Sequence, residues 1–209
     1  MKKSKSIKLN FIMNVILTMS SFIFPLITFP YVSRILLPEG TGKVSFATSL
    51  ISYFSMFAQL GIPTYGIRAC AKVRDDKEEL TRTTQELVII NFVMSVISYT
   101  VLAVALMLVP RLREERALYI IVSLTIAFNV IGMEWMYKAL EQYTYITIRS
   151  IIFKFVALIV MFVFVHQKSD YIFYGAITIL AASGSNIFNF INAHKFIDMR
   201  PVGKYHFKR

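Results

Sequence analysis

Cysteine is nearly absent from this chain of 209 residues, where Cys70 stands alone. That excludes an internal disulfide and leaves no paired thiols for a redox or metal motif. Histidine is scarce too: His166, His194 and His206 lie far apart, at no ligand spacing. No metal and no cofactor is expected. Charged residues make up only 17% of the chain, and no polar stretch is long enough to fold as a soluble domain. Acidic residues are few, 12 against 23 basic ones, for a formal net charge of +11. Such an excess suits nucleic acid only when it forms a soluble basic surface. Here the basic residues stand at the ends of apolar runs, where membrane topology accounts for them, so no nucleic-acid partner is expected. No nucleophile, base or metal constellation is visible, which argues against an enzyme.

What fills the chain is hydrocarbon. Hydrophobic residues make up 56%, with 18 Phe among them, and the mean hydropathy is +0.59. That composition is too apolar for an ordinary soluble domain and predicts an all-α membrane protein. A helical crossing needs about 20 apolar residues. Runs at roughly 9–32, 43–67, 86–109, 117–137, 147–165 and 171–193 predict six transmembrane helices forming one bundle. A basic segment, 1–8, precedes them, and a basic tail, 194–209, follows. The run that starts at Leu9 is too long for a signal core and lacks a small-residue cleavage site, so it reads as an uncleaved first span. Six spans return both ends to one side. That side holds 17 of the Lys and Arg residues against 6 on the other, which predicts cytoplasmic termini.

The stretch from Pro25 to Gly42 organises the rest. Pro25 and Pro30 inside an apolar helix would cost about 3 kcal/mol each in water, yet such breaks persist in membrane bundles, where neighbours re-satisfy the freed carbonyls. A turn is expected at Pro38-Glu39-Gly40. Gly61, Pro63 and Gly66 shape the end of the second span and, with Pro25 and Pro30, are candidate hinges. Polar residues recur at spacings of three and four, which puts each set on one helical face. Span one offers Asn10, Asn14, Ser21 and Thr28; span two offers Ser45, Ser49, Ser52 and Gln59; span three offers Asn91, Ser95 and Ser98. Span six repeats the pattern with Gly175, Thr178, Ala182, Ser185, Asn189 and Asn192. Two readings fit: helix packing through small residues, or a shared hydrated cavity.

Pro30-Tyr31-Val32-Ser33-Arg34-Ile35-Leu36, followed by Pro38-Glu39-Gly40-Thr41-Gly42, resembles the oligosaccharide-unit (Wzx-type) flippases. These are polysaccharide biosynthesis transporters of the MATE-like (MOP) superfamily. Leu60-Gly61-Ile62-Pro63-Thr64-Tyr65-Gly66-Ile67-Arg68 and Ala71-Lys72-Val73-Arg74-Asp75-Asp76 extend the resemblance. Glu134-Trp135-Met136-Tyr137-Lys138-Ala139-Leu140-Glu141, with Tyr145-Ile146-Thr147-Ile148-Arg149, is similar to the family's loop after its fourth span. There are departures: the family usually carries Asp and Gly where this chain has Glu134 and Ala139. Its members have two bundles of six helices, and this chain resembles the amino-terminal one. Lys204-Tyr205-His206-Phe207-Lys208-Arg209 looks like the start of the linker between them.

The resemblance implies a flippase of the bacterial cytoplasmic (inner) membrane that moves undecaprenyl-diphosphate-linked oligosaccharide repeat units to the outer leaflet for surface polysaccharide synthesis. It implies alternating access by rocking of two bundles, without covalent chemistry. The expected partners are the lipid-linked oligosaccharide, the bilayer, the polysaccharide polymerase machinery and a second six-helix bundle. That bundle is a C-terminal half, a separate chain or a second copy. Arg34, Arg68 and Arg149 are then candidate cavity cations, because a planar guanidinium forms paired charge-assisted bonds to a diphosphate. Two of them also have a plainer reading: Arg34 as a headgroup anchor, Arg68 as a cytoplasmic flank. Lys154 is expected to snorkel from its span toward the interface. Glu134 is either the partner of Lys138 one turn on or a proton- or cation-coupling site. Two other functions remain open at this point. One is a MATE-like drug or metabolite exporter, for which cationic cargo wants acidic cavity residues; the other is a non-transporting membrane partner or scaffold.

Overall fold

The computed structural model describes residues 7–203 and residue 205. Most of the basic segment 1–8, with Lys204 and 206–209 of the expected linker, lies outside the described residues. Among the described residues the chain is helical, with short connections and no strand. An apolar solvent enforces this architecture, because a helix satisfies its backbone donors and acceptors within one segment.

The first helix, α1, runs Ile7–Gln59 and carries Pro25, Pro30 and Pro38. It continues through Pro25 and Pro30 and breaks at Leu37, where φ is 58° and ψ is 175°. Proline drives the residue before it out of the helical region and is itself well placed to open a helix. The turn expected at Pro38-Glu39-Gly40 is therefore made one residue earlier, and Pro38 begins the next helix. The arm before the break is 7–36 and the arm after it is 38–59. After α1 come α2 (Ile62–Lys72), α3 (Lys77–Leu108), α4 (Pro110–Glu114), α5 (Arg116–Gly132), α6 (Glu134–Ala139) and α7 (Tyr143–Phe164). A 3-10 turn over Lys168–Asp170, α8 (Tyr171–Ile179), a π turn over Leu180–Gly184 and α9 (Asn186–Ala193) complete the order.

Side-chain bonds fix the relative directions. The first arm runs parallel to α7: the Thr147 hydroxyl donates to the Met13 carbonyl at 3.0 Å and the Tyr31 hydroxyl to the Val165 carbonyl at 2.9 Å. The second arm runs parallel to α5, from Lys43 beside Glu115 (2.9 Å) to Ser55 beside Asn129 (3.1 Å). α8 and α9 take the same direction, from Tyr171 bonded to Glu115 to Asn189 bonded to the Gly132 carbonyl. Apolar clusters fill the spaces between, one around Val44, Ala47, Ile51, Leu118 and Val122, another around Val32, Leu36, Met161 and Ile177. The outer surface is apolar as well: Phe11, Phe22, Leu26, Phe92 and Phe155 are among the exposed side chains. Hydrocarbon on both faces of the helices marks an all-α membrane protein.

Among the described residues four stretches are long and apolar enough to cross a membrane: Ile7–Lys72, Lys77–Leu108, Tyr143–Phe164 and Lys168–Ala193. Arg116–Gly132 is apolar but shorter. The difference from the six expected runs has two causes. No loop separates the two arms at the Leu37 reversal, so the first stretch holds both of them. The expected fourth span is interrupted at Met133, where φ is 41°. A further interruption, the π turn, rotates the helical face within the expected sixth span. Ala182 is exposed there while Ser183, Gly184, Ser185 and Asn186 are all buried, so the spacing from Gly175 to Asn192 does not follow one face.

The tail folds back on α3. The Gln85 carboxamide donates to the carbonyls of Asp198 (3.0 Å) and Arg200 (2.8 Å) and accepts from the Val202 amide and the Tyr205 hydroxyl. At the same end α2 packs on α6 through Gly66. A Cβ there would sit 2.6 Å from Trp135 Cε3, and Trp135 is buried. Gly66→Ala is therefore expected to lower stability by about 1–3 kcal/mol through overpacking, read as the unfolding midpoint in detergent. Gly42→Ala, with nothing within 4 Å of the new methyl, is expected to leave that midpoint unchanged or slightly raised.

Candidate functional site

The break at Met133 builds a polar region in the bundle interior. Ending α5 at Gly132 leaves helical carbonyls without intrahelical partners. The Asn189 carboxamide donates to the Gly132 carbonyl at 2.6 Å, and the Tyr137 hydroxyl donates to the Asn189 carbonyl at 2.6 Å. These bonds hold α6 against α9 and aim Glu134 at α7. Arg149, on α7, is 6% exposed. Its Nη2 lies 3.8 Å from Glu134 Oε2, near enough to pair charges but too far for a hydrogen bond. Its guanidinium carbon lies 5.7 Å from the centre of the Tyr145 ring, and Tyr145 stacks on Tyr137 with centroids 5.3 Å apart. The Nε and Nη1 atoms of Arg149 are buried without a hydrogen-bond partner. Glu134 also takes Lys138 at 2.8 Å, one turn on. The cluster thus holds two cations around one carboxylate, with guanidinium donors to spare.

Lys154 does not snorkel. Its ammonium donates to the Ser20 and Ser21 hydroxyls on the first arm at 2.8 and 2.9 Å. The reason is local: two hydroxyls stand within reach, and they anchor the half-buried charge sideways, against the first arm. The Ser20 and Ser21 hydroxyls donate in turn to the Leu17 carbonyl.

The other residues singled out by the sequence fall into three groups. Asn91, Ser95, Ser185 and Asn189 are buried against neighbouring helices, and Thr178 is half-buried and donates to the Gly175 carbonyl. Asn14, Ser49 and Ser52 are exposed on the outer faces of the two arms of α1, with Gln59 half-buried at the end of the second. The Ser52 hydroxyl returns to the Ser49 carbonyl at 2.7 Å and Gln59 donates to Ser55 at 3.1 Å. Such back-bonding satisfies a hydroxyl without a cavity, so periodic polar residues do not by themselves require one. Arg34 and Arg68 are exposed at opposite ends of the bundle, and neither joins Arg149. Pro25 and Pro30 are exposed within continuous helix, Gly61 takes φ 73° at the start of α2, and Pro63 lies in that helix's first turn.

The end near Arg34 carries a clamp that spacing does not reveal. Glu115, before α5, accepts from Lys43 at 2.9 Å and from the Tyr171 hydroxyl at 2.8 Å. Three segments far apart in sequence are tied there by one carboxylate. Its burial pushes the Glu115 carboxyl up, but the Lys43 and Tyr171 bonds outweigh that and hold it below the ordinary carboxylate value. Nearby, the backbone amides of His166 and Gln167 hold the Asp170 carboxyl low. Cys70 is buried, and burial pushes its thiol up to about 11, which leaves little reactive thiolate at neutral pH. Among the described residues no group of three or more His, Cys, Asp or Glu is arranged to hold a metal.

Residues 7–207 match the family described as Polysaccharide biosynthesis protein. The chain is 27% identical over 165 residues to the "Putative O-antigen transporter" of Escherichia coli (strain K12), covering 79% of this chain and 40% of the relative. It is 25% identical over 153 residues to the "Putative O-antigen transporter" of Shigella dysenteriae, covering 72% of this chain and 38% of that one. The chain thus spans well under half the length of the curated relatives it matches. No solved structure matches.

Two outcomes are expected of the charged groups. Removing the Glu134 charge (Glu134→Gln) leaves Arg149 buried without a counter-charge. The expected loss is about 2 kcal/mol, below the 3–5 of a fully buried pair because the Glu134 side chain is 38% exposed. The double variant Glu134→Gln/Arg149→Met recovers most of it, read by unfolding in detergent. Glu115, with its folded value depressed, contributes stability above the ordinary carboxylate pKa and loses it as pH falls through that depressed value. Glu115→Gln is expected to flatten this acid limb, seen in unfolding midpoints across pH 3 to 6.

Proposed function

The chain belongs to the polysaccharide biosynthesis protein family, and from that premise we propose that it is one bundle of a flippase for undecaprenyl-diphosphate-linked oligosaccharide units. The two arms of α1, α3, α5 with α6, α7, and the run through α8 and α9 are read as six crossings, with both ends in the cytoplasm. With Arg149 and Lys154 left out as lying within a crossing, the 17 basic residues on that side become 15 against 6, and the excess still supports this orientation.

The observation that carries the proposal is a pair of cations within an apolar body whose donors are not all taken. Arg149 has two buried donor nitrogens without partners, and Lys154 has hydroxyl partners in place of a carboxylate. Intramembrane cations are costly and mark ion or substrate paths. An anionic diphosphate would use them; a cationic drug would not. This balance favours the flippase over an exporter of cationic cargo. Glu134, already engaged by Lys138 and Arg149, is read as the group that holds Arg149 in place, with coupling to a proton or cation as its second role. Arg34 and Arg68, exposed at the two ends, are assigned to the first and last contacts of the diphosphate with the bundle. Alternating access needs a second body to move against, so a second six-helix bundle is the expected partner, and polysaccharide polymerase machinery the expected recipient.

Fluorescent undecaprenyl-diphosphate oligosaccharide in proteoliposomes tests the reading. Movement between leaflets is expected when a carboxy-terminal half from the family is supplied with the chain, and not with the chain alone. Arg149→Ala is expected to slow it by about tenfold or more, the loss of charge-assisted bonds. Absence of movement with both halves present, together with efflux of a cationic dye, would replace the flippase by the exporter.

A further inference from the structure

We propose that a cleft between the first arm of α1 and α7 is a mid-membrane station, where Lys154 takes the phosphate of a lipid in the act of crossing. The cleft holds about 410 Å³, within the usual range of ligand pockets, about 300–1,000 Å³. Its walls are apolar, formed by Val15, Met19, Ile23 and Phe24 on the arm and by Ile151 and Phe155 on α7. Lys154 and Ser20 supply its polar edge.

The chemistry of that edge is specific. Ser20 and Ser21 each donate a proton to the Leu17 carbonyl, so each hydroxyl oxygen is left to accept from Lys154. An ammonium has three donors; the two hydroxyls take two. The third is left for an acceptor, and no carboxylate of the described residues lies within ion-pair distance of Lys154. Glu134, the acidic group of the neighbouring cluster, is engaged by Lys138 and Arg149. The site therefore offers a positive charge with one open donor, beside a slot for hydrocarbon.

Depth identifies the occupant. Lys154 is the twelfth of the 22 residues of α7, about 16 Å from either end of the helix at 1.5 Å per residue. With α7 centred on a hydrocarbon core whose half-thickness is about 15 Å, the headgroup of a resting phospholipid lies too far away to reach this ammonium. An anion at this depth belongs to a lipid whose head is being carried across. This inference rests on the transport reading and adds to it where a phosphate pauses and that its chain lies along the first arm and α7.

The test uses the whole chain in phosphatidylcholine nanodiscs, with undecaprenyl diphosphate as probe and Lys154→Met and Lys154→Arg as variants. Replacing an ammonium by a thioether inside hydrocarbon does not threaten folding, and unfolding midpoints check that. Lys154→Met is expected to weaken binding by about tenfold or more, while Lys154→Arg keeps most of it. Neutral undecaprenol is expected to bind wild type and Lys154→Met equally, and a photoreactive tail to label Ile23 or Phe155. Equal diphosphate binding by wild type and Lys154→Met would overturn the station and leave the flippase reading intact. Equal competition by phosphatidylglycerol would also overturn it, in favour of a resident phospholipid. Failure of wild type to bind the probe would overturn both readings.

Discussion

A helix interrupted inside an apolar body leaves carbonyls that neither lipid nor the helix itself can satisfy, and here the Asn189 carboxamide satisfies the one at Gly132. An unmet carbonyl in such surroundings costs several kcal/mol, so the break at Met133 and the side chain of Asn189 stand or fall together. The consequence reaches well beyond the bond. With α5 stopped at Gly132, α6 sets off in a new direction and brings Glu134 to Arg149, Trp135 onto Gly66, and the Tyr137 hydroxyl back to the Asn189 carbonyl. The π turn before α9 belongs to the same arrangement, since it brings Ser183 through Asn186 inward together. Asn186 then meets Asn129, which bonds Ser55 on the second arm. A polar thread thus runs across the bundle at the level where its helices are least regular.

The charges follow a related logic. At one end, Glu115 ties Lys43 and Tyr171, so the starts of the second arm, α5 and α8 are held by one carboxylate. At the other, Arg74 pairs with Glu141 at 2.7 Å and Gln85 clasps the tail. Both ends are fastened by groups within reach of water, where ion pairs are worth little individually but fix register. Between them Arg149 is buried and Lys154 half-buried, each with an incomplete set of partners. The bundle is therefore stitched at its rims, with cationic donors left open between them. That division suits the flippase bundle proposed above, which would meet an anion along its length.

Much of this was legible in the sequence, for a simple reason. Long apolar runs with basic flanks report the solvent a chain is built for, and that report needs no tertiary contact; the all-helical membrane fold follows from it. The motif around Pro30 to Gly42 and the Tyr65-Gly66-Ile67-Arg68 element likewise carry the family resemblance without coordinates, and the family match extends over residues 7–207. Periodicity was a weaker guide. It set Asn91 and Ser95 on a face, and they are buried; it set Ser49 and Ser52 on a face, and they are exposed. Spacing of three and four names a face but does not say what that face meets. In span six the π turn breaks even that rule.

The sequence by itself determined the solvent, the helical class, the family and the place of the first reversal to within one residue, because proline chemistry and hydropathy act locally. The tertiary structure alone decided which polar groups converge. Lys154 turns sideways because Ser20 and Ser21 lie 134 and 133 positions away in the chain but within hydrogen-bond reach. Arg149 is buried with a carboxylate because α5 ends where Asn189 can meet it. Interactions across such separations depend on how broken helices dock, and no local pattern encodes that.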